Sequence, residues 1–305
     1  MSTATKIGKK AIRLINGIVD ISALIMILSL LAVGCYAIWD SSQVYQLANS
    51  ARYQIYKPNA ENGGKSFAQL QEINPDVFAW LTVYGTHIDY PVVQGTDNMQ
   101  YVNANAEGQY SLSGAIFMDT NCSRDFSDFS SFLYGHHMEK QAMFGEIGRF
   151  AEESYFSARN YGMLYYNGQE YGLEFFAFVH ADAYDGAVFK TKITGREARQ
   201  AYLDMLLKIA LHTRSIQVTA DDRIVLLSTC SDASTNGRDI LVGKITNERF
   251  DDTFKTTETA NNNILAADKL PGLWVQSPAW VKIVIAALML MIFLILKKSG
   301  KRSKE

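Results

Sequence analysis

From Phe78 onward the chain is a succession of short runs rich in Val, Ile, Phe and Tyr. They are "FAWLTV", "HIDYPVV", "GAIFMD", "SFLYGHH", "GMLYY", "LEFFAFVHA", "RIVLLST" and "DILVGKI". Turn residues separate most of them, which is the pattern of β-strands. Asn167-Gly168, between "MLYY" and "QEYGLEFF", is a strong hairpin signal. A βαβ sheet needs a helix after nearly every strand, and this segment lacks that alternation. The expected architecture is mostly β, a closed or nearly closed barrel.

Helical patterns are few. Ser66 followed by Gln69 is a capping box opening a short helix, with Phe67, Leu70 and Ile73 inward and Pro75 ending it. "AMFGEIGRFA" reads as a helix after the histidine pair His136-His137. "TGREARQAYLDMLLKIALHT" reads as a longer one, with Thr194 and Glu197 as its capping box. Ala198, Ala201, Tyr202, Met205, Leu206 and Ile209 form an apolar stripe that packs it on the barrel.

The two ends of the chain have a different texture. Ile21 to Trp39 carries no charge, and at about 1.5 Å per residue it nearly spans a bilayer core of roughly 30 Å. Trp280 to Leu296 is a second apolar segment whose one charge, Lys282, lies near its end, where it can snorkel. Lys6, Lys9, Lys10 and Arg13 flank the outer end of the first segment. Lys297, Lys298, Lys301, Arg302 and Lys304 flank the outer end of the second. The positive-inside rule then places both termini in the cytoplasm and everything between them outside. The first segment is expected to remain as an anchor, because a cleaved signal peptide usually has a shorter apolar region.

Between the first apolar segment and the β region, residues 40–65 read as a polar, helical stalk with Val44, Leu47, Ala51 and Ile55 near one face. After it, "NERFDDTFKTTETANNN" reads as a polar tether leading to the second segment. A net charge of -2 gives no argument for nucleic-acid binding. No Walker loop, dinucleotide fingerprint or zinc spacing is present, and the adjacent His136 and His137 would face opposite sides of a strand.

Of three cysteines, Cys35 lies in the first apolar segment, leaving Cys122 and Cys230. By residue type alone Cys230 is open to three readings: a core thiol, half of a bridge to Cys122, or a nucleophile. Acyl transfer needs a nucleophile, an acid/base for the leaving amine and donors for the oxyanion. Cys230, a histidine and Arg238 can supply these. If "RIVLLST" and "DILVGKI" pair as antiparallel strands, Cys230 ends one and Arg238 begins the next, so the two meet at one rim.

"LLSTC", then an arginine opening an aliphatic strand, with "YGHHM" upstream, resembles the sortase signature. "AWLTVYGTHIDYPVVQGTDN", "GAIFMDT", "YGHHM…AMFGEI" and "LLSTC…GR" follow the family's order over roughly Phe67 to Ile245. They look most like class B, as does the long helix inserted before the cysteine strand. Sortases are membrane-anchored cysteine transpeptidases of Gram-positive bacteria. The resemblance implies an eight-stranded barrel with N-terminal helices and a helix before the cysteine strand, here flanked by two transmembrane helices.

Carried over by motif, the resemblance makes Cys230 the nucleophile, His136 the general acid/base and Arg238 the substrate-positioning or oxyanion-stabilising cation. Asn98, Tyr134, Ser228 and Thr229 align with groove positions. His87, His137, His180 and His212 become bystanders, and Cys122 a free thiol. Many class B members have an acidic residue where this chain has Ser231, and in its second span the chain resembles class C instead.

The implied domains are a cytoplasmic basic N-terminus (1–17), a transmembrane helix (18–39), an extracellular stalk (40–65) and the catalytic domain (66–246). A polar tether (247–279), a second transmembrane helix (280–296) and a cytoplasmic tail (297–305) follow. The implied reaction cleaves a C-terminal sorting motif through a thioester and passes the acyl group to an amine, with no cofactor. Expected partners are surface proteins or pilins bearing that motif, a pilin lysine or wall-peptide precursor as acceptor, and membrane lipid. Two other readings are a secreted cysteine protease that gives the thioester to water, and a catalytically silent membrane receptor.

Overall fold

The computed structural model describes residues 3–58, 66–230 and 236–254. The second apolar segment, Trp280 to Leu296, lies outside them, as does most of the tether.

The chain opens with helix α1, Thr3–Ala48. Within its stretch Ile12–Gln46 the most apolar window has a mean hydropathy of 2.5 and none of that window is buried, so by length and composition the stretch can cross a membrane. Helix α1 ends at Ala48, and two short 3-10 turns follow, Ser50–Arg52 and Gln54–Tyr56. The expected stalk stripe is not what packs: Ala51 and Ile55 are exposed, whereas Ala48, Tyr53 and Tyr56 are buried in the core. The compact unit that contains the barrel begins at Val44.

Helix α2, Phe67–Ile73, has the expected capping box: Ser66 Oγ accepts from the Gln69 amide and Gln69 Oε1 accepts from the Ser66 amide. Phe67 and Leu70 are buried, but Ile73 is half exposed at the end of the helix, where the buried Asn74 takes an extended conformation leading into the next strand.

Strands β1 (Val77–Val83), β2 (Asp89–Val93), β3 (Ile116–Met118) and β4 (Ser130–Tyr134) come next. Helix α3 is Glu153–Ala158, followed by β5 (Tyr161–Tyr166) and β6 (Gln169–Asp182). Helix α4 (Arg196–Ile209), β7 (Ala210–Thr213), β8 (Arg223–Cys230) and β9 (Gly237–Thr246) complete the sequence. The sheet order is β5-β1-β2-β3-β4-β8-β9-β6-β7, and β5 also pairs with β6. Eight strands therefore close into a barrel, and β7 adds to β6 outside the ring. Closure removes the free edges that an open sheet would expose.

Local chemistry explains the elements. Asn167 (φ 51°) and Gly168 (φ 75°) form the β5–β6 turn. Both central residues are left-handed, which matches the twist of a hairpin and favours Asn-Gly. In β8, Ile224, Val225, Leu226 and Leu227 are all fully buried. A strand covered on both faces reads as a continuous apolar run rather than an alternating one. Trp80, Phe132, Phe144, Phe150, Phe175 and Phe178 fill the interior. Asp89 ties the N-terminal turns to the barrel: it accepts from Trp80 Nε1 (2.7 Å), Thr82 Oγ1 (2.8 Å), Gln54 Nε2 (2.9 Å) and Lys57 Nζ (2.6 Å).

Four expected helical details are corrected. "AMFGEIGRFA" is not one helix but a left-handed turn at Met143 (φ 52°) and a 3-10 segment, Ile147–Ala151, leading into α3. Gly145 explains the break, since a Cβ there would collide with the Met138 carbonyl oxygen. Helix α4 starts from Gly195 at φ 85° without a side-chain cap, so the Thr194 capping box does not form. It stops at Ile209, and "ALHT" pairs with β6 instead of extending it. The buried face of α4 is Tyr202, Leu203 and Leu206, with Met205 half buried; Ala198, Ala201 and Ile209 are exposed. At the far end, Phe250 stacks on Tyr161 with ring centroids 4.0 Å apart, and Arg159 lies over the Phe254 ring.

Candidate active site

Three neighbouring strands of the closed sheet converge on the sequence-predicted residues. Strands β4 and β8 run parallel, with Tyr134 opposite Ser228. The ladder continues past β4 through the Gly135 amide, which donates to the Ser228 carbonyl oxygen at 3.2 Å. His136 is two residues beyond Tyr134, and Cys230 is two residues beyond Ser228. Strands β8 and β9 run antiparallel, with Cys230 directly opposite Arg238. Cys230 and Arg238 thus face each other across β8 and β9, and His136 follows the end of the adjacent β4 by two residues. Residues 231–235 of the connecting loop, Ser231 included, lie outside the described ones.

A cavity of about 440 Å³ lies beside His136 and Arg238. His136, Arg238, Tyr134, Asn98, Ser228 and Thr229 all line it, together with Val102, Phe117, Asp119 and Phe189. Phe117 and Tyr134 form a tilted aromatic pair, centroids 5.5 Å apart, which gives the cavity an apolar wall.

His136 Nε2 lies 2.8 Å from the Val102 carbonyl oxygen. A carbonyl only accepts, so Nε2 carries the proton and Nδ1 is the nitrogen left for proton exchange. The loop bearing Val102 comes this close because of Gly114 (φ 61°), where a Cβ would stand 2.7 Å from the Tyr101 and Val102 carbonyl oxygens. Arg238 is half buried, and its Nη1 donates to the Gly237 carbonyl oxygen at 3.0 Å. The hydroxyl oxygens of Ser228 and Thr229 are buried and have no hydrogen-bond partner among the described residues. Burial, followed by the Asp119 carboxylate, pushes the Tyr134 phenol well above its ordinary range, so it stays a hydroxyl donor.

The other histidines are placed elsewhere. His137 lines a second, larger cavity of about 650 Å³, shared with His180, Asp239, Glu139 and Glu152. The two adjacent histidines therefore line different cavities. His180 Nδ1 pairs with Asp239 Oδ1 at 2.9 Å, His87 Nδ1 with Glu146 Oε2 at 3.0 Å, and His212 Nε2 with the Ala151 carbonyl oxygen at 2.6 Å. Among the described residues no group of three or more His, Cys, Asp or Glu is placed to hold a metal ion.

Cys122 is a buried free thiol, so the bridge to Cys230 left open by the sequence is not formed. Burial pushes its pKa up to about 11. A thiol needs its thiolate form to react. Iodoacetamide at pH 8 is therefore expected to leave Cys122 of the native domain unmodified and to alkylate it once urea unfolds the domain. Peptide mapping reads this directly, and fast native labelling of Cys122 would contradict its buried, protonated state.

Sequence reasoning did not single out Asp119, which lies directly after β3 and on the cavity wall. Its only signal is a carboxylate closing the apolar run "GAIFMD". Its partners, Asn98 and Tyr134, come from distant parts of the chain.

No protein-family model matches the chain. The barrel is shared with solved sortases. The structure of sortase B from the type II pilus of Streptococcus pneumoniae is 45% identical, covers 60% of this chain and 100% of that one, and superposes with a TM-score of 0.53. A Streptococcus pyogenes class B sortase involved in pilus biogenesis is 39% identical over 59% of this chain and 97% of its own, with a TM-score of 0.54. Sortase B of Listeria monocytogenes serovar 1/2a (strain ATCC BAA-679 / EGD-e) is 30% identical over 179 residues, 58% of this chain and 72% of the relative. Fold and similarity together define a sortase, a cysteine transpeptidase. The chain belongs to the sortase B family.

Proposed function

We propose that this sortase is held at the cell membrane by α1 and joins proteins bearing a C-terminal sorting signal to an amine. In this reading Cys230 is the nucleophile, His136 the general acid/base and Arg238 the oxyanion-stabilising or substrate-positioning cation. The observation that carries the assignment is the pairing of Cys230 with Arg238 across β8 and β9, with His136 just past the end of the adjacent β4 and with His136 and Arg238 lining one cavity.

The Cys230 thiol passes its proton to His136, and the sulfur attacks the backbone carbonyl after the Thr of the sorting motif. Charge develops on the carbonyl oxygen, and the guanidinium, which is always protonated, compensates it. The C–N bond breaks as His136 protonates the departing amine, leaving a thioester. The acceptor amine then attacks the thioester, gives up a proton to His136 and releases Cys230. Asn98, Tyr134, Ser228 and Thr229 bind the peptide. The buried, unpaired hydroxyls of Ser228 and Thr229 support this, because groups left unpaired in a protein interior are the ones a ligand's amides can satisfy.

The catalytic domain faces outward and both termini lie in the cytoplasm, with Trp280 to Leu296 as a second span and residues 247–279 as the tether between barrel and span. The acceptor is a pilin lysine rather than a wall-peptide precursor. Support for that choice is the similarity to two class B sortases described with pili.

Two assays test the reading. Incubating the catalytic domain with a sorting-motif peptide and an added amine should yield the ligated product; hydrolysis alone would make the enzyme a protease. Deleting the gene should remove a ladder of high-mass covalent polymers from wall extracts. Release of monomers, with no ladder in the parent strain, would favour wall anchoring.

A further inference from the structure

We propose that Asp119 is a positioning residue that sets the hydrogen-bond polarity of the peptide-binding wall, by holding Asn98 and Tyr134 in one orientation each. The proposal rests on the reading that the cavity lined by His136 and Arg238 binds the sorting peptide.

Asp119 is 6% exposed, and its backbone is pinned from two sides. Its amide donates to the Phe132 carbonyl oxygen of β4 at 3.0 Å, and its carbonyl accepts from Gln94 Nε2 at 2.9 Å. The two carboxylate oxygens divide their work. Oδ1 accepts from the Asn121 amide (2.8 Å) and Asn121 Nδ2 (2.9 Å), which closes the turn after β3. Oδ2 accepts from Asn98 Nδ2 (3.0 Å) and from the Tyr134 hydroxyl (3.2 Å). Both partners, and Asp119 itself, line the cavity.

A carboxylate only accepts, so each partner is forced into a single role. Tyr134 must spend its one hydrogen on Asp119, which leaves its oxygen as an acceptor. Asn98 must turn its NH₂ toward Asp119, and the Thr120 amide, donating to Asn98 Oδ1 at 2.8 Å, fixes the same orientation from the other end. The second Nδ2 hydrogen of Asn98 then remains as a donor. The wall thus carries one fixed donor and one fixed acceptor, which is the complement of the C=O and N–H groups of an extended peptide. Bonds to an ionised acceptor are stronger than neutral ones, so the pair is set before substrate arrives.

Asp119→Asn is the discriminating change. The introduced carboxamide can keep its oxygen on the Asn121 turn while presenting NH₂ to Asn98 and Tyr134. Two NH₂ groups then oppose each other, and Tyr134 reverses to donate into the cavity. The KM for a sorting-motif peptide should rise about tenfold or more, since a mismatched buried polar pair is costly. Acylation at saturating peptide should stay within about threefold of the parent, because the groups assigned to the chemistry are untouched. Asn121→Ala, which removes only an Oδ1 contact, should leave KM unchanged. In an Asn98→Ala/Tyr134→Phe background, Asp119→Asn should add nothing further. Asp119→Ser keeps an oxygen for the turn and carries the same KM test if the Asn variant folds poorly.

An unchanged KM in Asp119→Asn and Asp119→Ser, a fall in kcat at constant KM, or additivity in the double background would each overturn the positioning role. Mass spectrometry of the parent enzyme separates the two levels of the claim. A thioester at Cys230 together with those outcomes removes only the role of Asp119. No thioester at Cys230 removes the reading beneath it, and this role with it.

Discussion

Cys230→Ala is expected to abolish acyl-enzyme formation while leaving the domain folded. The alanine keeps the last residue of β8 in its pairing with Arg238, because that register is made by backbone groups. It removes only the sulfur. Without a nucleophile the covalent route is closed, and removing one member of such a catalytic set typically costs at least about 10³-fold. Two measurements check this: intact mass after incubation with a sorting-motif peptide, and the thermal unfolding midpoint. The parent should gain the mass of the acyl fragment and Cys230→Ala should not, with similar midpoints. Cys122→Ala serves as the counter-test. Its thiol is held neutral by burial, so its loss should leave acylation intact. Normal turnover by Cys230→Ala, or loss of turnover in a folded Cys122→Ala, would sink the assignment.

Much of the barrel was legible because each of its eight strands is a short run of residues that fit a pleated, buried surface. Closure was implied by their number and by the shortage of intervening helices. The elements that escaped did so for local reasons. "ALHT" continues the apolar spacing of α4, and only the free edge of β6 turns it into β7. The stretch after His137 has helical spacing, but Gly145 packs against the Met138 carbonyl, a contact that propensity does not register. Thr194 sits one residue early, since the left-handed Gly195 begins α4.

The site was legible to a different degree. Strand pairing brings Cys230 opposite Arg238, as expected from a short loop joining two aliphatic runs. The choice of His136 over His87, His180 and His212 came from motif resemblance, and nothing in composition distinguishes them. Asp119 was hidden because its contacts to Asn98 and Tyr134 are set by how β3, β4 and a preceding loop meet in space. Such contacts leave no periodic trace in the chain.

The second large effect separates the adjacent histidines. His136 borders the cavity that Arg238 also lines, whereas His137 borders the cavity it shares with His180 and Asp239. Acid/base work requires reach, and general acid–base groups typically contribute about 10²–10⁴-fold. His136→Ala should therefore lose activity on that scale, while His137→Ala should stay within about threefold, since a residue on the other face has no access to the leaving amine. His136→Gln adds a sharper test. A glutamine amide can replace the Nε2–H donor to the Val102 carbonyl but cannot exchange a proton near neutral pH. If the histidine only braces the Val102 loop, Gln should restore activity; if it carries the proton, Gln should be as impaired as Ala. Equal losses at the two histidines, or rescue by glutamine, would return His136 to a structural part.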